Sequence, residues 1–331
     1  MELVLAEGVV LAQKLTEDRE PDDWLNVPER GVMWGIRLVY ALATAFGRWP
    51  ARLIIRGVAM WYRLFDRKAV RASRDYLRRL SDREPGWWEV YRHLLRFAFV
   101  ALDRIFLLKG KTRAFRWTRT GHHHLEELKA QKQGAILLGA HLGSFEAMRL
   151  GGADRDIPIN IVGHFENARM VNALFRRINP SIAARVIHVG QPPIDLMIAI
   201  RGRLENGELV AMLADRVGLR ERSVVVDFLG KPAHFSAGPF LVAATMKVPI
   251  YLTFGIYTDP DRYDLYCIPF ADKVVLPRKN RQEALREYVQ RYADQIASFC
   301  RDHPLNWFNF YDFWAAREDS DAAPDGRPKQ S

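Results

Sequence analysis

The chain has 331 residues, of which 49% are apolar and 27% charged, with a formal net charge of +10. That much apolar side chain supports a sizeable core and excludes a disordered chain. The only cysteines, Cys267 and Cys300, are too few for a disulfide framework or a thiolate metal site and fit a reducing compartment.

Residues 1–30 read as a loose or short helical lead, broken by Pro21, Pro28 and the pair Asp22-Asp23. The start is acidic and lacks the basic opening and small-residue cleavage site of a signal peptide, so secretion is not expected. Residues 31–110 read as a helical, membrane-interfacial region. Between Arg48 and Arg83, eleven Arg or Lys face three Asp, a net of +8, so most of the positive excess is concentrated there. Neither Gly31–Gly47, which contains Arg37, nor Leu53–Phe65, which contains Arg56 and Arg63, offers about 20 uncharged residues for a membrane crossing. On a helical wheel Arg48, Arg52, Arg56, Arg63 and Arg67 share one side, opposite Ile54, Val58, Trp61 and Phe65, and Pro50 suits a first turn. Such a helix is expected to lie in the headgroup layer of an anionic membrane, with Arg52, Arg56, Trp61 and Arg63 in contact. A soluble helix with a solvated basic face is the plainer alternative. Nucleic acid is not expected as the polyanion, because no recognisable nucleic-acid fold motif accompanies the charge. A second basic helix is predicted near Val70–Leu80, and a third over Trp87–Leu108.

From residue 111 the pattern changes. Short apolar runs at Ala135–Leu138, Ile157–Val162, Val186–Val189, Leu209–Leu213, Val224–Phe228, Pro249–Phe254 and Leu265–Ile268 predict strands. Amphipathic stretches between them, at His122–Lys132, Asn167–Ile178, Asp195–Glu205, Ser236–Met246 and Arg281–Arg301, predict helices. The alternation implies an α/β core over 111–314 with a mixed, largely parallel sheet flanked by helices, whose ligand crevice lies beyond the strand carboxyl ends. Residues 315–331 are polar and read as a disordered tail.

The strand at Ala135–Leu138 delivers Gly139-Ala140-His141-Leu142-Gly143-Ser144-Phe145-Glu146. Five positions on an α-helix are an offset of roughly 140°, so His141 must precede the helix that carries Glu146. Gly139 and Gly143 favour a tight turn, and Ser144 is a candidate cap. An imidazole with a carboxylate in reach is a general base, and His141 with Glu146 is the candidate catalytic pair. The alternative is a histidine at a strand end beside a glutamate that complements the helix dipole. His122-His123-His124 is no metal site, because consecutive helical side chains point about 100° apart. His188 reads as core and His234 as a loop residue. Ser144 suggests a serine esterase, yet Gly-x-Ser-x-Gly is missing.

The run Gly134–Glu146 resembles the His-x4-Asp/Glu block of the lysophospholipid acyltransferase superfamily, in its lipid A secondary acyltransferase branch. Three further segments are similar in order: Asn167-Ala168-Arg169 with Leu174-Phe175-Arg176-Arg177; Leu213-Ala214-Asp215-Arg216 with Val226–Pro232 and Ala237-Gly238-Pro239; and Val248-Pro249-Ile250 followed by His303–Trp307. The resemblance covers residues 31–314. It implies that His141, held by Glu146, deprotonates a hydroxyl or amine that attacks an acyl thioester, with acyl carrier protein, or less readily coenzyme A, as donor and a lipid as acceptor. It implies substrate-binding roles for His164, Arg169, Arg176, Arg177, Asp215 and Arg216, no metal or bound cofactor, and a place on the cytoplasmic side of the inner membrane. Backbone N–H groups after His141, or one of Arg169, Arg176 and Arg177, would face the oxyanion. Arg176 and Arg177 as a solvated face, and Asp215 with Arg216 as a structural ion pair, stay open. Two departures matter: the glycerolipid Glu-Gly-Thr-Arg signature is missing, and Trp307–Trp314 is aromatic where the lipid A enzymes have a Trp-x-His-Arg-Arg type segment. The latter argues against a bis-phosphorylated acceptor. The competing class is a non-catalytic, membrane-surface lipid-binding protein on the same fold.

Overall fold

A computed structural model describes residues 45, 47–152, 157–163, 185–188, 193–218 and 221–315. Among the described residues, the helices α1 (Arg48–Phe65), α2 (Arg67–Ser81) and α3 (Trp87–Leu108) precede the sheet. Asp66 separates the first two, and its carboxylate accepts from Ala69 N at 2.9 Å as the cap of α2. Pro50 sits in the first turn of α1, where its missing N–H costs no helix bond.

The core follows as β1 (Arg116–Thr120), α4 (His123–Ala130), β2 (Ala135–Gly139), α5 (Phe145–Gly152), β3 (Ile159–Gly163), β4 (Val186–His188), α6 (Pro193–Glu205), β5 (Leu209–Leu213), β6 (Ser223–Phe228), β7 (Lys231–Ser236), α7 (Gly238–Met246), β8 (Ile250–Thr258), β9 (Arg262–Ala271) and α8 (Arg281–Asp302). Seven strands form one sheet in the order β1-β9-β8-β2-β5-β3-β4, in which only β8 and β9 pair antiparallel. Strand β2 lies centrally, paired parallel to β5 and to β8, and all five of its residues are buried. Its uninterrupted apolar run is what a strand covered on both faces requires. The helix-flanked, mostly parallel α/β sheet expected from the alternating pattern is therefore present. The predicted helix over 167–178 and the tail beyond 315 lie outside the described residues.

Two strands escaped the sequence pattern. Strand β1 is mostly exposed at the sheet edge and reads Arg-Trp-Thr-Arg-Thr, with no apolar run to mark it. Strand β7 contains Pro232 and His234, so His234 lies in a strand rather than a loop, and its Nδ1 is 3.0 Å from Ser223 Oγ on β6. The β6–β7 hairpin turns on Leu229 and Gly230, both at positive φ, as a primed two-residue turn demands.

The orientation of α1 reverses the sequence expectation. Arg48, Arg52 and Arg63 are buried, whereas Trp49, Leu53, Ile54, Trp61, Leu64 and Phe65 are exposed. Each buried guanidinium has partners. Arg48 forms two 2.7 Å bonds to Asp103 of α3, and Asp103 also accepts from Tyr263 Oη at 3.1 Å. Arg52 donates to Tyr257 Oη, Pro260 O and Asp259, and lies 3.7 Å from the Phe99 ring centroid. Arg63 lies 4.6 Å from the Trp87 ring centroid. Of the expected membrane contacts, Arg52 and Arg63 are thus corrected to interior anchors, while Arg56 and Trp61 remain on the surface. The charges turn inward because α3 and the β8–β9 connection offer carboxylates, carbonyls and ring faces that a guanidinium fork matches. Among the described residues, no helix is long and apolar enough to cross a membrane.

Breaking the Arg48–Asp103 pair from one side strands a buried charge, so Asp103→Ala should lower stability by about 3–5 kcal/mol, read from the urea midpoint. The apolar pair Arg48→Met with Asp103→Leu should recover most of that loss.

Candidate active site

The turn after β2 is built by close backbone approach. Gly143 has φ +72°, and a Cβ there would sit 2.1 Å from Gly255 O on β8. Ser144 N donates to Gly255 O and Gly143 N to Asn306 O, both at 2.7 Å. Ser144 Oγ accepts from Ala147 N at 3.1 Å and so caps α5, as its position suggested. Two consequences follow. The N–H groups of Gly143 and Ser144 are spent inside the fold and do not serve as oxyanion donors. Ser144 is buried as a helix cap, which removes the support for a serine esterase.

His141 emerges two residues beyond the last residue of β2, and Asp215 emerges two residues beyond the last residue of β5. Because Gly139 pairs with Leu213, the parallel register brings the two side by side. Asp215 Oδ1 lies 2.9 Å from His141 Nδ1, and Oδ2 accepts from the backbone N of His141 at 2.9 Å and from Asn309 Nδ2 at 3.1 Å. The carboxylate is wholly buried, which by itself would raise its pKa. His141 and the donors around it overcome that and hold it below the usual carboxylate range. An ionised carboxylate only accepts, so Nδ1 carries the ring proton, and in the neutral imidazole Nε2 is left as the basic atom.

Glu146 takes a different place. Its Oε1 accepts from Arg104 of α3 at 2.6 Å and 3.0 Å, and Arg149 Nε stands 3.8 Å from Oε2. Burial opposes its ionisation, yet Arg104 and Arg149 bring its pKa down to about 2. Asp215 is thus the carboxylate hydrogen-bonded to His141, while Glu146 bonds Arg104 of α3 through Oε1 and keeps a buried Oε2 with no hydrogen bond. Ser144 caps α5, and Glu146 in its first turn meets the Arg104 guanidinium of α3.

Asp215, expected as a substrate contact, is thus the partner of the histidine. Arg216 is half-buried, and desolvation pushes its pKa down to about 10. It does not form the expected ion pair with Asp215; it donates to Asn309 Oδ1 at 2.5 Å and Phe308 O at 2.8 Å. His164, Arg169, Arg176 and Arg177 lie outside the described residues. His188 is half-buried at the end of β4.

Three contributors were missed in the sequence. Asn309 reaches the site from a segment 94 residues away from Asp215. Arg104 sits in the predicted third helix without any local mark. His93 of α3 is completely buried and its pKa is pushed down to about 4 by that burial. Its Nε2 meets Trp307 O and its Nδ1 meets Ser73 Oγ, each at 2.8 Å, so it is a neutral strut beneath the C-terminal segment. A usable signal for Asp215 was present: Ala140-His141 and Ala214-Asp215 follow their strands at equal distance, and parallel neighbours bring such positions together.

Comparison with curated proteins gives no match. A family model does match: that of the bacterial lipid A biosynthesis acyltransferases fits residues 89–315, a span that contains His141, Glu146, Asp215 and Asn309. On that match over more than half of its length, the chain belongs to the bacterial lipid A biosynthesis acyltransferase family.

Proposed function

We propose that the protein transfers a fatty acyl group from an acyl thioester, carried by acyl carrier protein or less readily by coenzyme A, to a hydroxyl or amine of a glycolipid or other amphipathic lipid. The observation that carries this reading is the His141–Asp215 pair at the carboxyl ends of two adjacent parallel strands. His141 Nε2 removes the acceptor proton as the oxygen or nitrogen attacks the thioester carbonyl, and Asp215 stabilises the imidazolium. Collapse of the tetrahedral intermediate expels the thiolate, which takes the proton from Nε2. The ester or amide and the free thiol are the products, so the reaction balances without a metal or cofactor. His164, Arg169, Arg176 and Arg177 remain our candidates for substrate contacts, with anionic groups on either substrate as their targets.

We place the enzyme on the cytoplasmic side of the inner membrane, with the exposed apolar side of α1 as its contact. Trp49, Leu53, Ile54, Trp61, Leu64 and Phe65 all point outward, and Trp88, 63% exposed at the start of α3, adds another ring. Exposed cations of α2, Arg67, Lys68, Arg71 and Arg74, follow directly along the chain and suit anionic headgroups. Apolar insertion thereby replaces the basic face of α1 as the main attachment, with Arg56 and Trp61 retained as contacts.

His141→Ala and Asp215→Asn should each lower acyl transfer from radiolabelled acyl carrier protein into a bacterial lipid extract by roughly 10³-fold. Glu146→Gln should keep transfer within about tenfold per folded molecule while lowering the urea midpoint, since it loosens α5 from α3. Transfer that survives in both His141→Ala and Asp215→Asn would refute the role of that pair, and no transfer by the parent chain with either donor would favour the non-catalytic lipid-binding reading. For attachment, Leu53→Glu with Leu64→Glu should abolish flotation with anionic liposomes; unchanged flotation would refute the apolar face as the contact.

A further inference from the structure

The buried amide of Asn309 stands between two groups that are neighbours in sequence and of opposite charge. Its Nδ2 donates to Asp215 Oδ2 and its Oδ1 accepts from Arg216 Nε. No other orientation satisfies both, since a guanidinium only donates and an ionised carboxylate only accepts. A direct Arg216–Asp215 contact would be a strong, planar ion pair competing for the lone pairs that now hold the His141 ring and backbone. We propose that Asn309 is a positioning residue of the active site: it keeps the Arg216 guanidinium one side chain away from Asp215 and holds both carboxylate oxygens on His141.

The C-terminal segment makes this placement rigid. Phe308 N donates to His141 O at 2.8 Å, Phe308 O accepts from Arg216, and the preceding carbonyl, of Trp307, rests on His93. Asn309 is 2% exposed, so no water competes for its amide. The groups facing Asp215 are His141 from the turn after β2, Tyr292 and Cys300 from α8, and Arg216 through the amide. Tyr292 donates its hydroxyl to Gly139 O at 2.6 Å, and burial raises the pKa of both Tyr292 and Cys300. Neither supplies a charge near neutrality, so the amide is the contact through which the charge next to Asp215 is controlled.

The inference rests on the acyl-transfer reading, and its test separates the two. Asn309→Asp has the same shape and keeps an acceptor for Arg216, but replaces the donor to Asp215 with a second carboxylate. Like charges at that distance raise the pKa of Asp215. The acid limb of the kcat/KM–pH profile should therefore move up by about one unit, with kcat at neutral pH reduced roughly 10- to 100-fold and KM changed less than about threefold. A second readout needs no substrate. A depressed carboxylate pKa stabilises the fold above the unfolded pKa and loses that contribution as pH falls. The Tm deficit of Asn309→Asp should accordingly widen between about pH 4 and pH 8. Asn309→Ala adds no charge and should also displace the acid limb, upward if Arg216 stays in place and downward if it closes on Asp215. An acid limb unmoved in both variants, with a Tm deficit independent of pH, would overturn the proposal. If the parent transfers no acyl group, the acyl-transfer reading fails, and the pH dependence of Tm alone still decides the role of Asn309.

Discussion

The site depends on the pairing of the C-terminal segment against the turn that follows β2. Asn306 O receives Gly143 N, His141 O receives Phe308 N, and Asn309 reaches Asp215. Backbone polar groups buried at the carboxyl end of a sheet have no water to bond, so each needs a partner from elsewhere in the chain. The segment after α8 supplies those partners. Its own position is secured by burial of Trp307, Phe308, Phe310, Phe313 and Trp314 in a continuous ring cluster with Tyr76, His93, Phe97 and Phe228. The residues that aim the histidine are thus held by a layer contributed by α2, α3 and the β6–β7 hairpin. The helices before the sheet thus help to hold the His141–Asp215 pair as well as forming surface.

Those helices show how desolvation and partner supply set the facing of an amphipathic element. A guanidinium is expensive to bury alone, but a bidentate carboxylate, two carbonyl contacts and an aromatic face turn the same group into an anchor. Arg48 and Arg52 meet such partners on α3 and on the connection between β8 and β9. With Arg48, Arg52 and Arg63 committed inward, α1 leaves its tryptophans and leucines outside beside Arg56. An exposed apolar stripe of this kind is the feature expected of a surface that meets another apolar phase.

The two buried carboxylates Asp215 and Glu146 have different partners. Asp215 is fixed by donors that leave its charge directed at the imidazole, whereas Glu146 is clamped by Arg104 and Arg149. The direction in which α5 starts is set by the Ser144 cap and the Gly143–Gly255 approach. The motif's glutamate therefore meets a guanidinium of α3, and a carboxylate from the neighbouring strand meets the histidine.

Much of this was legible in the chain itself. The apolar run Ala135–Leu138, the glycines and Ser144 determine a buried strand, a tight turn and a capped helix, and they place His141 at the strand end, because turn geometry and capping are settled by neighbours within a few residues. The alternation of runs after residue 111 likewise determines a largely parallel α/β sheet. What the order of residues does not contain is which groups meet across 74 or 94 positions, and that depended on strand register and on where the C-terminal segment packs. The inward turn of Arg52, the pairing of Glu146 with Arg104 and the choice of Asp215 for His141 were decided by tertiary structure, since a charged side chain settles wherever the folded chain offers partners enough to offset its lost hydration.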